Sequence, residues 1–162
     1  MTDKTRELAG PVTPLQQRAI EIDVAAAFLG VLEARLGERD AREVFAETVV
    51  ELANQGAARF RERYPEPTLA DLWEVWGVLG GDGRLDLHLD ELTGTTLRFH
   101  VDRCSYADLY RAKGLEAVGV AFSCHRDGPF ARAFLPGVGV EQSQTILEGG
   151  HRCEFTYTLE GS

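Results

Sequence analysis

An α+β fold in a single domain, with an N-terminal helical layer packed on a small, mostly antiparallel sheet, is predicted by a change of period along the chain. Apolar residues recur at helical spacing through the first part of the sequence. After the glycines Gly80, Gly81 and Gly83 the period drops to two. The length of 162 residues suits one domain, and a hydrophobic content of 44% is enough to build a core without staples.

The elements follow in order. Residues 1–12 are expected to be a flexible segment and 13–162 the domain, with 13–80 its helical part and 84–159 its sheet part. Thr13 can cap a helix with Pro14 at the first position, where a missing N–H costs nothing. Ile20, Val24, Ala27, Phe28, Val31 and Leu32 then mark one apolar face, and Gly37 is a stop. Asp40 with Glu43 resembles a capping box, so a second helix is expected from there, carrying Val44, Phe45, Val49, Leu52 and Phe60 and ending before Pro65. Thr68 with Asp71 repeats the box and opens a short helix through Trp73 and Trp76, whose indoles are expected in the core.

Leu85, Leu87 and Leu89 alternate with Asp86, His88 and Asp90, and Leu97, Phe99 and Val101 alternate with Arg98, His100 and Asp102. With Thr93-Gly94 between them these are two strands of an antiparallel hairpin. The Asp86/His88/Asp90 row reads as a solvated face rather than a metal site. Ser105 with Asp108 predicts a helix over 106–113 ending at Gly114, and Leu115 to Phe122 is expected to be helical. Val140 to Leu147 and Arg152 to Leu159, joined through Glu148-Gly149-Gly150, are expected to form a second hairpin.

A net charge of −9 argues against nucleic acid, whose phosphates need Lys and Arg, and against an anionic membrane surface. The start, MTDKTRELAGPVTP, has no apolar h-region, and no apolar run approaches the roughly 20 residues of a membrane span. A cytoplasmic protein acting on a small-molecule substrate is the expectation, without nucleic acid or membrane partners and compatible with homo-oligomers.

The chemistry concentrates late in the chain. Cys104, Cys124 and Cys153 all lie in the last third, with His125 and His151 within two residues of a thiol. An odd thiol count argues for reduced cysteines, and a thiolate is the strongest side-chain nucleophile near neutral pH. Cys124-His125-Arg126-Asp127 sets a thiol, an imidazole, a guanidinium and a carboxylate beside Gly128-Pro129. Cys104 stands at a helix start, where the helix dipole lowers a thiol pKa. Cys153 alternates with Phe155 and Tyr157 on a strand, which favours burial. The cysteines lack any C-x-x-C pair, so the zinc signal is weak, although a site assembled in space stays open. No metal and no cofactor are expected.

These residues carry a resemblance. CSYADLYRAKG, the apolar segment ending Cys124-His125-Arg126-Asp127, LPGVGV, and the hairpin from Thr145-Ile146-Leu147 through Gly149 or Gly150 to Cys153, Phe155 and Tyr157 resemble the L-2-amino-thiazoline-4-carboxylic acid hydrolase family. One departure is that Gln142-Ser143-Gln144 stands where family members often carry an arginine. A planar guanidinium is not replaced by an amide, so Arg126 or Arg152 would have to supply that charge. The resemblance implies hydrolytic opening of a C–N bond in a cyclic amidine, isothiourea or related substrate. Cys124 would be the nucleophile with Cys104 its rival, Asp127 the orienting or proton-taking group, and His125 or His151 the acid/base. Cys153, Arg126, Tyr106 and Gln142 would line the substrate pocket. The closing hairpin also resembles ligand-binding domains of vinyl-4-reductase type, which makes a non-catalytic sensor or carrier the alternative.

Overall fold

The computed structural model describes residues 11–160 and shows the expected α+β domain, a helical layer on a four-stranded antiparallel sheet. Of the segment expected to be flexible, residues 1–10 lie outside the described residues. Helices α1 (Pro14–Leu36), α2 (Glu38–Arg61) and α3 (Leu69–Leu79) precede strands β1 (Leu85–Leu92) and β2 (Thr96–Cys104). Helices α4 (Ser105–Lys113), α5 (Glu116–Phe122) and α6 (Asp127–Phe134) follow, with a single 3-10 turn, Cys124–Arg126, between the last two. Strands β3 (Gly139–Gln144) and β4 (Cys153–Thr158) close the chain around a second 3-10 turn, Ile146–Glu148.

The start signals hold where a hydroxyl can reach the third residue. Thr13 and Thr68 each accept from the backbone N–H three residues on, and Gln16 and Asp71 return the bond to complete a capping box. Two starts differ from expectation. The helix expected from Asp40 begins at Glu38, because Gly37 reverses the chain at φ +84° and leaves no room for a linker. Asp40 becomes a first-turn acid, favourable at the positive end of the dipole. The box expected at Ser105 and Asp108 does not form, and Cys104 at the end of β2 is the residue that leads directly into α4.

The strand order is β1-β2-β4-β3, every neighbour antiparallel. Leu97, Phe99 and Val101 of β2 lie opposite Tyr157, Phe155 and Cys153 of β4, so the inner face is a continuous apolar wall. Trp76 of α3 packs against it, 5.1 Å from both Phe99 and Phe155, as expected of a core indole. The outer face carries His88 opposite His100, and His100 opposite Glu154.

The face on which α1 is buried corrects the sequence reading. Its buried positions are Ile22 and Leu29, while Ile20, Val24 and Phe28 leave 60%, 66% and 62% of their surface exposed. On α2, Phe45 and Val49 are buried with Ala41, Ala53 and Ala57, whereas Val44 and Leu52 are exposed. The buried positions recur every fourth residue from Ala41 to Ala57, and Val44 and Leu52 fall off that stripe. The core forms two clusters. One joins the sheet, α3, α6 and the end of α2, and the other joins α1, the start of α2, α4 and α5.

Candidate functional site

A cavity with about 190 Å³ of free space lies where the two clusters meet, with wall residues drawn from both. All three cysteines border it, as do Asp127, Arg126, Tyr106 and Gln142. Each is brought there by a local device. Cys104 sits at the junction of β2 and α4, where the strand ends on its inner face. Cys153 points inward at the start of β4, and its sulfur accepts the N–H of Ile146 at 3.3 Å, which ties down the second 3-10 turn. Arg111 donates to the Ile146 carbonyl at 2.6 Å and anchors the same turn to α4. Cys124 opens the first 3-10 turn, and that tight turn brings Asp127 onto the same wall.

The charged groups of this wall are unusual in their pairing. Asp127 accepts no hydrogen bond and forms no ion pair among the described residues. Burial pushes its carboxyl up from the ordinary 3.8 to about 7, against the opposing pull of Arg126 and Arg18. Arg126 has no ion-pair partner among the described residues either, and burial followed by the neighbouring Arg18 lowers its pKa. Arg18 reaches in from α1, stacked over the rings of Phe122 at 5.0 Å and Tyr106 at 5.6 Å. It also contacts Ser123 Oγ at 3.5 Å, and that hydroxyl bonds the Tyr110 hydroxyl at 2.5 Å. Gly119 makes this network possible, since a Cβ there would run into the Tyr110 ring.

The thiols are held neutral. Burial raises Cys124 well above its ordinary value, and Asp127 and the other two thiols push the same way. Cys153 is raised to about 11 by burial, partly offset by the Ile146 N–H. The helix start predicts a lowered Cys104. It is raised instead, because burial outweighs the backbone N–H groups of Ala107 and Tyr106. Gln142 reaches the cavity with its Nε2 buried and unpartnered among the described residues.

The histidines are not part of this assembly. His125 is exposed, its Nε2 4.0 Å from Glu148 on the outside of the turn, and His151 is exposed in the loop before β4. Arg152 is likewise turned away, paired with Glu154 at 2.6 Å. Among the described residues no three His, Cys, Asp or Glu side chains are placed to share a metal ion. The sequence reading missed Arg18, Tyr110 and Ser123. Arg18 had a signal, since it lies four residues before Ile22 on the buried stripe of α1, where a guanidinium needs a reason.

A family model described as L-2-amino-thiazoline-4-carboxylic acid hydrolase matches residues 17–157. The chain also resembles the crystal structure of the phenol-responsive sensory domain of the transcription activator PoxR with phenol. That match has a TM-score of 0.52 and 12% identity, and covers 93% of this chain and 76% of the other. It shows a shared fold. No curated protein matches the sequence. No described helix is long and apolar enough to cross a membrane.

Proposed function

The chain belongs to the L-2-amino-thiazoline-4-carboxylic acid hydrolase family, and we propose that it hydrolyses a C–N bond of a small cyclic amidine, isothiourea or related substrate with Cys124 as nucleophile. The observation that supports this most is the unpaired Asp127, poised at about 7 in the same cavity wall as Cys124. A carboxyl titrating there can both take and return a proton at neutral pH. It replaces His125 and His151 as the acid/base of this reading.

The steps balance without a metal or cofactor. The Cys124 thiol passes its proton to the Asp127 carboxylate as the S–C bond to the amidine carbon forms. Asp127 returns the proton to the departing nitrogen as the C–N bond breaks. A water then gives a proton to Asp127 and adds to the same carbon, and the sulfur leaves and is reprotonated. The thiol is too weak an acid alone, so an amidinium or isothiouronium ligand helps by placing positive charge beside it. Arg126, with Arg18 next to it, supplies the charge that the Gln142 segment lacks, and is the group placed to hold a substrate carboxylate. Cys104, Cys153, Tyr106 and Gln142 shape the pocket.

The test is turnover against a panel of cyclic amidines, isothioureas and lactams with the wild type and Cys124→Ser, with mass spectrometry of the quenched protein. Turnover and a covalent adduct on Cys124 that vanish together in the variant support the reading. Unchanged turnover in the variant moves the nucleophile to Cys104.

A second reading, a small-molecule-binding module, is favoured by one observation. The cavity is walled mostly by apolar side chains and holds thiols that burial keeps protonated. An apolar cavity of about 150 Å³ takes benzene, so a single-ring ligand of the phenol kind fits. Tight binding of such a ligand with no turnover of any panel member would establish it.

A further inference from the structure

The exposed face of α1 carries an apolar strip. Ile20, Val24, Phe28 and Val31 leave 60%, 66%, 62% and 51% of their surface open, and Leu52 of α2 leaves 42% across the groove between the two helices. With side chains of ordinary size these five residues expose on the order of 500 Å² of apolar surface, toward the upper end of the largest patch a monomer ordinarily carries and more than half of the roughly 800 Å² per partner of a stable interface.

We propose that this face is a two-fold interface with a second copy of the chain, in which α1 packs antiparallel against α1 about an axis near Phe28. The charges at the ends of the strip select that occupant. Glu21, which also holds Arg18 at 3.4 Å and accepts from Gln17 at 2.7 Å, and Arg35 lie fourteen residues apart, close to four helical turns and about 21 Å, so they share one side of α1 with Phe28 midway. Arg35 is exposed and makes no ion pair among the described residues. An antiparallel two-fold through Phe28 sets Arg35 of one copy against Glu21 of the other at both ends, while Val24 and Val31 flank the axis. A strip with an acid at one end and a base at the other suits an antiparallel copy of itself. The groove beneath it shares Arg18, Gly56 and Arg126 with the cavity, so the interface and the ligand site meet along that wall. The proposal stands whether the cavity catalyses or only binds.

Sedimentation equilibrium of the full chain tests it. The wild type should sediment at twice the 17.9 kDa chain mass at micromolar concentration. Val24→Asp with Phe28→Asp should give the single-chain mass with unchanged helical circular dichroism, because both side chains are already in solvent. Arg35→Glu should weaken the dimer about fivefold. A wild type of single-chain mass at every concentration overturns the proposal and leaves the strip to residues 1–10 or to another protein. A Val24→Asp/Phe28→Asp variant that stays dimeric, or an Arg35→Glu variant that dimerises as tightly as wild type, overturns it as well.

Discussion

Two carboxylates on opposite sides of the sheet, Glu154 and Asp127, are moved in opposite directions. Glu154, on the outer face of β4, accepts from Arg152, Ser143 and Gln144, and these bonds hold it down at about 2. Asp127, against the inner face, has no such donor and is raised by burial to about 7. Cys153 and Glu154 are neighbours in sequence, yet one looks into the cavity and the other into solvent. Around Glu154 the histidines and acids satisfy each other. His100 Nδ1 lies 2.9 Å from Asp90, and His88 stacks on His100 at 5.1 Å. The titratable groups richest in partners are the least useful for chemistry here, and the unpartnered one is the candidate.

Cys124→Ala should lower turnover by about a thousandfold or more while leaving ligand binding within about tenfold, since an alanine offers no nucleophile and the pocket is otherwise intact. Comparable kcat in the variant and wild type would remove Cys124 from the mechanism.

Asp127→Asn should lower kcat by about 10²- to 10⁴-fold and yet stabilise the fold. The folded carboxyl binds its proton more tightly than the unfolded one, so Asp127 destabilises progressively as pH rises from about 4 to 7. The variant should therefore gain up to about 4 kcal/mol over wild type at pH 8 and little at pH 4, since each tenfold difference in proton affinity is worth about 1.4 kcal/mol. Chemical denaturation at the two pH values measures this, and a variant less stable than wild type at pH 8 would contradict the unpaired assignment.

Arg126→Gln should raise KM for carboxylate-bearing ligands by about ten- to a hundredfold and leave that for neutral ligands nearly unchanged. Equal losses for both would mean that Arg126 only shapes the wall. Iodoacetamide near neutral pH should label all three thiols slowly in the free protein, because burial keeps each protonated. One rapidly labelled cysteine would show a thiolate that the geometry does not support.

The smallest effect belongs to the outer face. Glu154→Gln should leave turnover unchanged and lower stability at neutral pH, a difference from wild type that closes in acid. Its carboxylate is stabilising above its ordinary range near 4.5, and that contribution fades as pH falls through about 2. A change in kcat would mean that the two faces are coupled through β4.

Much of this is legible in the sequence, for local reasons. Thr13-Pro14 and the Thr68/Asp71 pair act within one helical turn, so their signals survive folding. The strand alternation sorts Cys153 inward and Glu154 outward, and the three cysteines do converge on one cavity. What fails depends on contacts distant in sequence. The apolar stripe of α1 reads as its buried face, but the Ile22/Leu29 side is the one that meets the rest of the core. His125 and His151 look like partners by adjacency, yet neither loop turns its imidazole toward the thiols. Cys104 keeps its helix start but not a lowered pKa, because burial there is stronger than the N-terminal backbone groups.

Carbon-detected NMR of the side-chain carboxyl shows whether Asp127 is an unpaired acid that titrates near neutral pH inside the cavity. Titration of the protein labelled at aspartate, with Asp127→Asn to assign the signal, should give a midpoint near 7. A midpoint at or below the ordinary 3.8 would contradict the account, because Asp127 would then be a fully ionised, well-paired acid with no proton to exchange at neutral pH.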